Sequence, residues 1–254
     1  MHFFLAGRLG SSTTRRLTSQ LITTWDYFYN TGGWDDYPPQ QYVHSKKLTR
    51  SVAPVANTAH AIRTAKILRM AALALGHRDD VLAYESDIAI WMDALQNYAW
   101  DQESGYFGYV MHDAEGRPTS ILRDRGGVNF NMGIDGITPL LAGVCTASQV
   151  DTICRNLMSD THLWTPIGVT TVDQSAPYYR NDGYWNGAVW MPHQWFIGKP
   201  YGTSAASGKP TGSRAQRSIS GKRKSRHPTT ASSISWCSRA AAPAGTSSAG
   251  CLAR

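Results

Sequence analysis

Two apolar stripes at helical spacing, joined by a two-residue link, most constrain what this chain can fold into. Across residues 57–76, Ile62, Ala65, Leu68, Ala72 and Leu75 share one face, with Arg63 and Lys66 opposite, the period of a helix buried on one side. The run stops at Gly76, a residue suited to the left-handed position that ends helices. After His77 and Arg78, Asp79 stands where it can cap a second helix carrying Val81, Tyr84, Ile88, Trp91 or Met92, and Leu95 at the same spacing. Two amphipathic helices so closely linked make an αα-hairpin, and the expected fold class is all-α.

The remaining pattern agrees with that class. Tyr106–Met111 alternates and is followed by the turn Asp113-Ala-Glu-Gly116, which predicts a small β-hairpin inserted between helical pairs. Helical character returns at 137–142. It returns again after Thr146, whose spacing to Gln149 is that of a capping box for a helix through Met158. The two longest stretches without helical period, Trp25–Lys46 and Leu163–Tyr184, are rich in aromatic residues. Segments that long in a compact domain usually carry function. Helical hairpins with aromatic loops between them suit a toroid of paired helices whose loops converge on one end. Asp135 reads as a helix cap or as a further acidic candidate, together with Asp182 and Asp173.

Charge separates the chain into two parts. The net charge is +7, but residues 200–254 hold nine Lys and Arg and no acid, and subtracting these nine leaves −2 for the first 199 residues. The domain expected to fold is therefore 1–199, followed by a low-complexity basic tail over 200–254 that reads as disordered. The basic excess is confined to this tail, so neither a nucleic-acid nor a membrane partner is expected. Four cysteines without a CxxC pair, and no His spacing of a zinc site, point to buried thiols and no metal or cofactor. The opening MHFFLAGR has too short an apolar run for a signal peptide. This favours the cytoplasm without fixing the compartment. Nothing in the sequence sets an oligomeric state.

The two aromatic loops carry the chemistry. The first runs Gly32-Gly33-Trp34-Asp35-Asp36-Tyr37-Pro38-Pro39-Gln40, and the second Asp182-Gly183-Tyr184-Trp185-Asn186-Gly187-Ala188-Val189-Trp190. The first resembles the general-acid loop of glycoside hydrolase family 63, which includes glucosidases and mannosylglycerate hydrolases, and also the Gly-Trp-Asp loop of trehalases. The second is similar to the Tyr-Trp-(Arg/Asn)-Gly-x-x-Trp segment of the same clan. The resemblance spans about residues 20–197. It implies part of an (α/α)6 toroid, the six-hairpin glycosidase fold, and hydrolysis of an O-glycosidic bond in a small glucoside, mannoside or oligosaccharide with inversion. Asp35 becomes the general acid.

Such an acid must hold its proton near neutrality. Packing against Trp34 and Tyr37, beside the carboxylate of Asp36, would disfavour its charged form. Asp36 is expected to bond sugar hydroxyls or to serve the local backbone. Tyr37 and Gln40 complete the first half of a carbohydrate site, and Trp185, Asn186 and Trp190 the second, as aromatic walls with an amide to read a hydroxyl. A trehalase-like hydrolase, a non-catalytic sugar-binding remnant and a helical scaffold are the competing readings.

An inverting hydrolase also needs a carboxylate about 6.5–9.5 Å from the acid to activate water. The resemblance implies a Glu downstream of the Tyr-Trp-x-Gly segment, yet no acid follows Asp182. If the reading frame slipped at about Ile197, the genetic code lets the hidden frame spell WKALWDLG across 197–205 and VEASYNCFEHFMV across 224–237, a family-like continuation containing a Glu. The tail then reads as frameshift product, the base as lost with it, and the turnover of this chain as very low or absent. A partial ring is also expected to leave apolar helix faces uncovered, favouring association.

Overall fold

The computed structural model describes residues 17–24 and 34–198. It is mainly helical with three small sheets. The helical hairpin is its frame. Helix α1 is Pro38–Ser45, and a short strand β1, Val52–Ala53, leads into α2, Val55–Leu75, and α3, Arg78–Ala94, which continues as a π-helical turn over Leu95–Ala99. Gly76 ends α2 at φ 75°. Its amide donates to the carbonyl of Leu73, and that of His77 to Ala72. The buried stripe of α2 is Ile62, Ala65, Leu68 and Ala72, and that of the second helix is Tyr84, Trp91 and, in the π-turn, Leu95.

Three details depart from the sequence reading. Asp79 does not cap α3: the cap position is His77, and Asp79 lies in the first turn, where its negative charge is attracted to the positive end of the helix dipole. Leu75, placed on the buried stripe, is 71% exposed. Residues 38–45, read as loop, are helical. The Pro38-Pro39 pair occupies the first two helical positions, where the amide hydrogens that proline lacks have no intrahelical acceptor.

The predicted hairpin is present and is less isolated than expected. Strands β2, Trp100–Asp101, and β3, Tyr106–Phe107, pair antiparallel; β4, Val110–His112, pairs with β5, Pro118–Ile121, on one side and with β1 on the other. Asp113 closes the β4–β5 turn by accepting from the amides of Glu115 and Arg117 at 3.0 and 2.8 Å. A 3-10 turn, Asp135–Ile137, runs into α4, Thr138–Leu141. Next comes α5, Ala147–Met158, with the Thr146–Gln149 capping box formed in both directions. The Leu163–Tyr184 stretch holds one small hairpin, β6, Trp164–Thr165, with β7, Gly168–Val169, and α6, Met191–Gly198, closes the described chain.

The hairpin exposes Ile67, Met70, Leu73, Leu82 and Ile90, each at least 44% accessible. Among the described residues no helix is long and apolar enough to cross a membrane, and no cluster of His, Cys, Asp and Glu suits a metal. Cys154 is buried, and Cys145 is half-buried with its thiol pushed up to about 12 by desolvation. Cys237, Cys251, Gly32, Gly33 and the tail, with its frameshift reading, lie outside the described residues.

Candidate active site

The two aromatic motifs meet, and Asp36 is what joins them. Its carboxylate accepts one hydrogen bond from the amide of Tyr184 at 2.8 Å and a second from the amide of Trp185, across almost 150 residues of sequence. Charge-assisted bonds of this kind are about twice as strong as neutral ones. Asp36 therefore has a backbone task, though between two loops rather than locally.

The turn it grips is built on glycine. Gly187 has φ 126°, and a Cβ there would lie 1.9 Å from the carbonyl oxygen of Arg180; one on Gly183 would lie 2.3 Å from that of Asn186. The Gly187 amide donates to the Thr171 hydroxyl at 2.9 Å. The backbone can double back this tightly only without side chains at those positions.

Bringing the loops together stacks their indoles. Trp34 and Trp185 lie parallel at 5.4 Å, Trp185 and Trp190 parallel at 4.1 Å, and His193 from α6 stands edge-on to Trp34 and Trp185 at 5.2 and 5.7 Å. Trp190 is held by its indole N–H, which donates to the Tyr184 carbonyl at 2.7 Å. Trp185 is engaged face to face by two other rings.

Beneath the first loop runs a buried polar chain. The Tyr37 hydroxyl donates to Asn131 Oδ1 at 2.6 Å, and Gln40 Nε2 donates to the Tyr109 hydroxyl at 3.3 Å. The Tyr109 hydroxyl in turn donates to Asp135 Oδ2 at 2.8 Å. Asp135 Oδ1 accepts from the amide of Ala56 at 3.1 Å and from Asn131 Nδ2 at 3.4 Å. Asp135 is thus a helix cap, but of α2 rather than of its own helix. Burial pushes its carboxyl up to about 6 against the lowering effect of these three donors.

Asp35 is exposed and has no hydrogen bond or ion pair among the described residues. The enclosure expected from Trp34 and Tyr37 is not formed, because Trp34 packs on Tyr37 and Trp185 while the Tyr37 hydroxyl is turned into the core. The other acids are committed elsewhere. Asp173 is fully buried between Tyr106, His162 and Ser175, with hydroxyl bonds of 2.5 and 2.7 Å from Tyr106 and Ser175. Asp182 is exposed and paired with Arg180 at 3.1 Å, which holds its carboxyl below the usual range. Neither Asp135 nor Asp173 reaches solvent to activate a water.

Among the described residues, three buried side-chain polar atoms lack a hydrogen-bond partner: Gln40 Oε1, Asn186 Oδ1 and His193 Nδ1. All three lie in the two motifs or in the helix that follows them. Buried polar groups are nearly always satisfied, and exceptions concentrate at functional sites. The sequence reading had selected Gln40 and Asn186. It missed His193, whose imidazole is lowered to about 4 by burial and by His60; a single His in an apolar run gives no periodic signal.

Known proteins resemble the chain over part of their length. The solved mannosylglycerate hydrolase of family 63 from Thermus thermophilus, in complex with glucose, is 19% identical with a TM-score of 0.47, over 64% of this chain and 35% of that one. Its complex with Tris and D-glycerate gives 20% and 0.46, over 63% and 36%. A sialidase structure gives 16% and 0.47, over 58% and 13%. The chain therefore spans about a third of the length of the first two. No curated protein matches. The model of the mannosylglycerate hydrolase MGH1-like glycoside hydrolase domain matches residues 14–206, most of the chain, and the protein belongs to that glycoside hydrolase family.

Proposed function

We propose that residues 1–199 form part of an (α/α)6 toroid that hydrolyses an O-glycosidic bond in a small glucoside or mannoside with inversion. The observation that carries this reading is the Asp36 clamp, which sets the loop bearing Asp35 directly against the Tyr184–Trp190 segment. In this reading Asp35 protonates the leaving oxygen. Trp34 and Trp190 offer ring surface to the sugar, and Asn186 and Gln40 supply polar groups. Asp36, Tyr37 and Trp185 position the rest.

The base is encoded in the shifted frame after about residue 197, and without it the chain forfeits roughly 10²–10⁴-fold in rate. Reading the nucleotides in all forward frames, then assaying the frame-restored protein on small α-glucosides and α-mannosides, tests both parts. The expected outcome is sugar released with inverted anomeric configuration, abolished by Asp35→Asn. Turnover that survives Asp35→Asn, or a shifted frame that spells unrelated residues, overturns the reading.

A further inference from the structure

The chain contains one Asn-Gly pair, Asn186-Gly187, in the turn that Asp36 grips. In such a pair the asparagine side chain is open to attack by its own backbone, because glycine has no Cβ to obstruct the approach. The Gly187 nitrogen loses its proton to a solvent base and bonds to Cγ of Asn186. The Cγ–Nδ2 bond breaks and ammonia leaves. Water then opens the five-membered succinimide at either carbonyl, giving aspartate or isoaspartate.

The fold treats the two reacting groups differently. Asn186 is 8% exposed and its Oδ1 has no hydrogen-bond partner, so that oxygen anchors the side-chain amide to nothing. The nitrogen that would attack is held. The Gly187 amide donates to the buried Thr171 hydroxyl at 2.9 Å, and the Thr171 amide donates to the Ala188 carbonyl at 3.1 Å, so one residue ties both Gly187 and its neighbour. The Asn186 carbonyl packs so closely on Gly183 that a Cβ there would lie 2.3 Å from its oxygen. A bonded proton is harder to remove, and a turn packed this tightly has little room to pucker into a ring.

We propose that Asn186-Gly187 is a latent deamidation site and that the Thr171 hydroxyl is the latch that keeps it closed in the folded chain. Opening it replaces a neutral amide with a carboxylate directly after Trp185. Isoaspartate also adds a methylene to the backbone of a turn with no space for it. Either product puts a new negative charge in the segment that the Asp36 carboxylate grips, so an aged chain loses the register of its indole stack. This chemistry is the chain's own and does not depend on the carbohydrate reading.

The test is peptide mapping by mass spectrometry of the full chain during incubation in mildly alkaline heavy-oxygen water, which labels each succinimide that opens. Fragment ions separate Asn186 from Asn181 and Asp182. Thr171→Val keeps the side-chain shape and loses the acceptor, Thr171→Ala is a second hydroxyl-free variant, and Thr171→Ser retains the hydroxyl. Thr146→Ala lowers stability elsewhere, at the cap of α5. The expected result is fast labelling of Asn186 in the guanidinium-unfolded parent and slow labelling in the folded parent. The folded hydroxyl-free variants should label about three- to tenfold faster than the folded parent, the worth of one hydrogen bond, with Thr171→Ser and Thr146→Ala close to the parent. The near-ultraviolet dichroism of the indole stack should decay with the labelled fraction. A hydroxyl-free variant that keeps the stack signal and the parent rate overturns the latch. Equal acceleration in Thr146→Ala also overturns it, since global opening would then set the rate. Equal rates in folded and unfolded parent overturn the protection altogether, whether or not the hydroxyl-free variants fold.

Discussion

Replacing Asp36 by alanine should separate the two motif loops, and its cost can be worked from the clamp. Two backbone amides, of Tyr184 and Trp185, lose a charged acceptor. Hydrogen bonds to charged groups contribute about 1.5–3 kcal/mol each. Tyr184 is exposed and Trp185 half-buried, so water replaces part of what is lost and the lower end applies. The sum is about 2–4 kcal/mol for Asp36→Ala. Asp36→Asn can retain one acceptor bond without its charge assistance and should cost about half as much. Urea unfolding followed by tryptophan fluorescence gives the free energy. The near-ultraviolet dichroism of the parallel indoles should fall in Asp36→Ala before unfolding begins, because the clamp sets the register of Trp34 on Trp185. An unfolding free energy within about 0.5 kcal/mol of the parent, the scatter of a neutral surface substitution, together with an unchanged dichroic band, would refute the reasoning.

Other outcomes follow from the same geometry. Asp135 has its carboxyl raised to about 6 in the fold, against about 3.9 when unfolded. The folded state therefore holds the proton more tightly, and stability should fall by roughly 2–3 kcal/mol as pH rises from about 4 to about 6 and then level off; in Asp135→Asn this component of the slope should vanish, and a variant with the parent slope in urea titrations would contradict the assignment. Gly187→Ala forces a side chain onto the Arg180 carbonyl at φ 126° and should destabilise by about 2–4 kcal/mol, seen as a lower urea midpoint with loss of the stack signal. Thr146→Ala removes the capping box of α5 and should cost about 1 kcal/mol, leaving the stack signal untouched. Asp35→Asn should leave unfolding within about 0.5 kcal/mol of the parent, since its side chain is exposed, while abolishing turnover of the frame-restored enzyme.

The elements set by contacts near in sequence were legible from the sequence. The α2–α3 hairpin follows from a 3.6-residue apolar period and a glycine stop, the α5 start from Thr146 and Gln149, and the β4–β5 turn from Asp113 and Gly116. Each depends on residues a few positions apart, where local backbone geometry decides the outcome. The two motifs were likewise readable, because their residues resemble segments of a known glycoside hydrolase family. Only the tertiary structure decided what the motif residues do to one another. Asp36 could not be separated from its neighbour as a clamp, because its partners lie almost 150 residues away. Trp185 could not be distinguished from Trp190, because face-to-face burial depends on how the loops dock. Asp135 looked like the cap of its own helix and proved to cap α2, since a carboxylate bonds the nearest unpaired amides in space. His193 gave no sequence signal at all, because burial and adjacency arise when separate segments pack, and no local period encodes them.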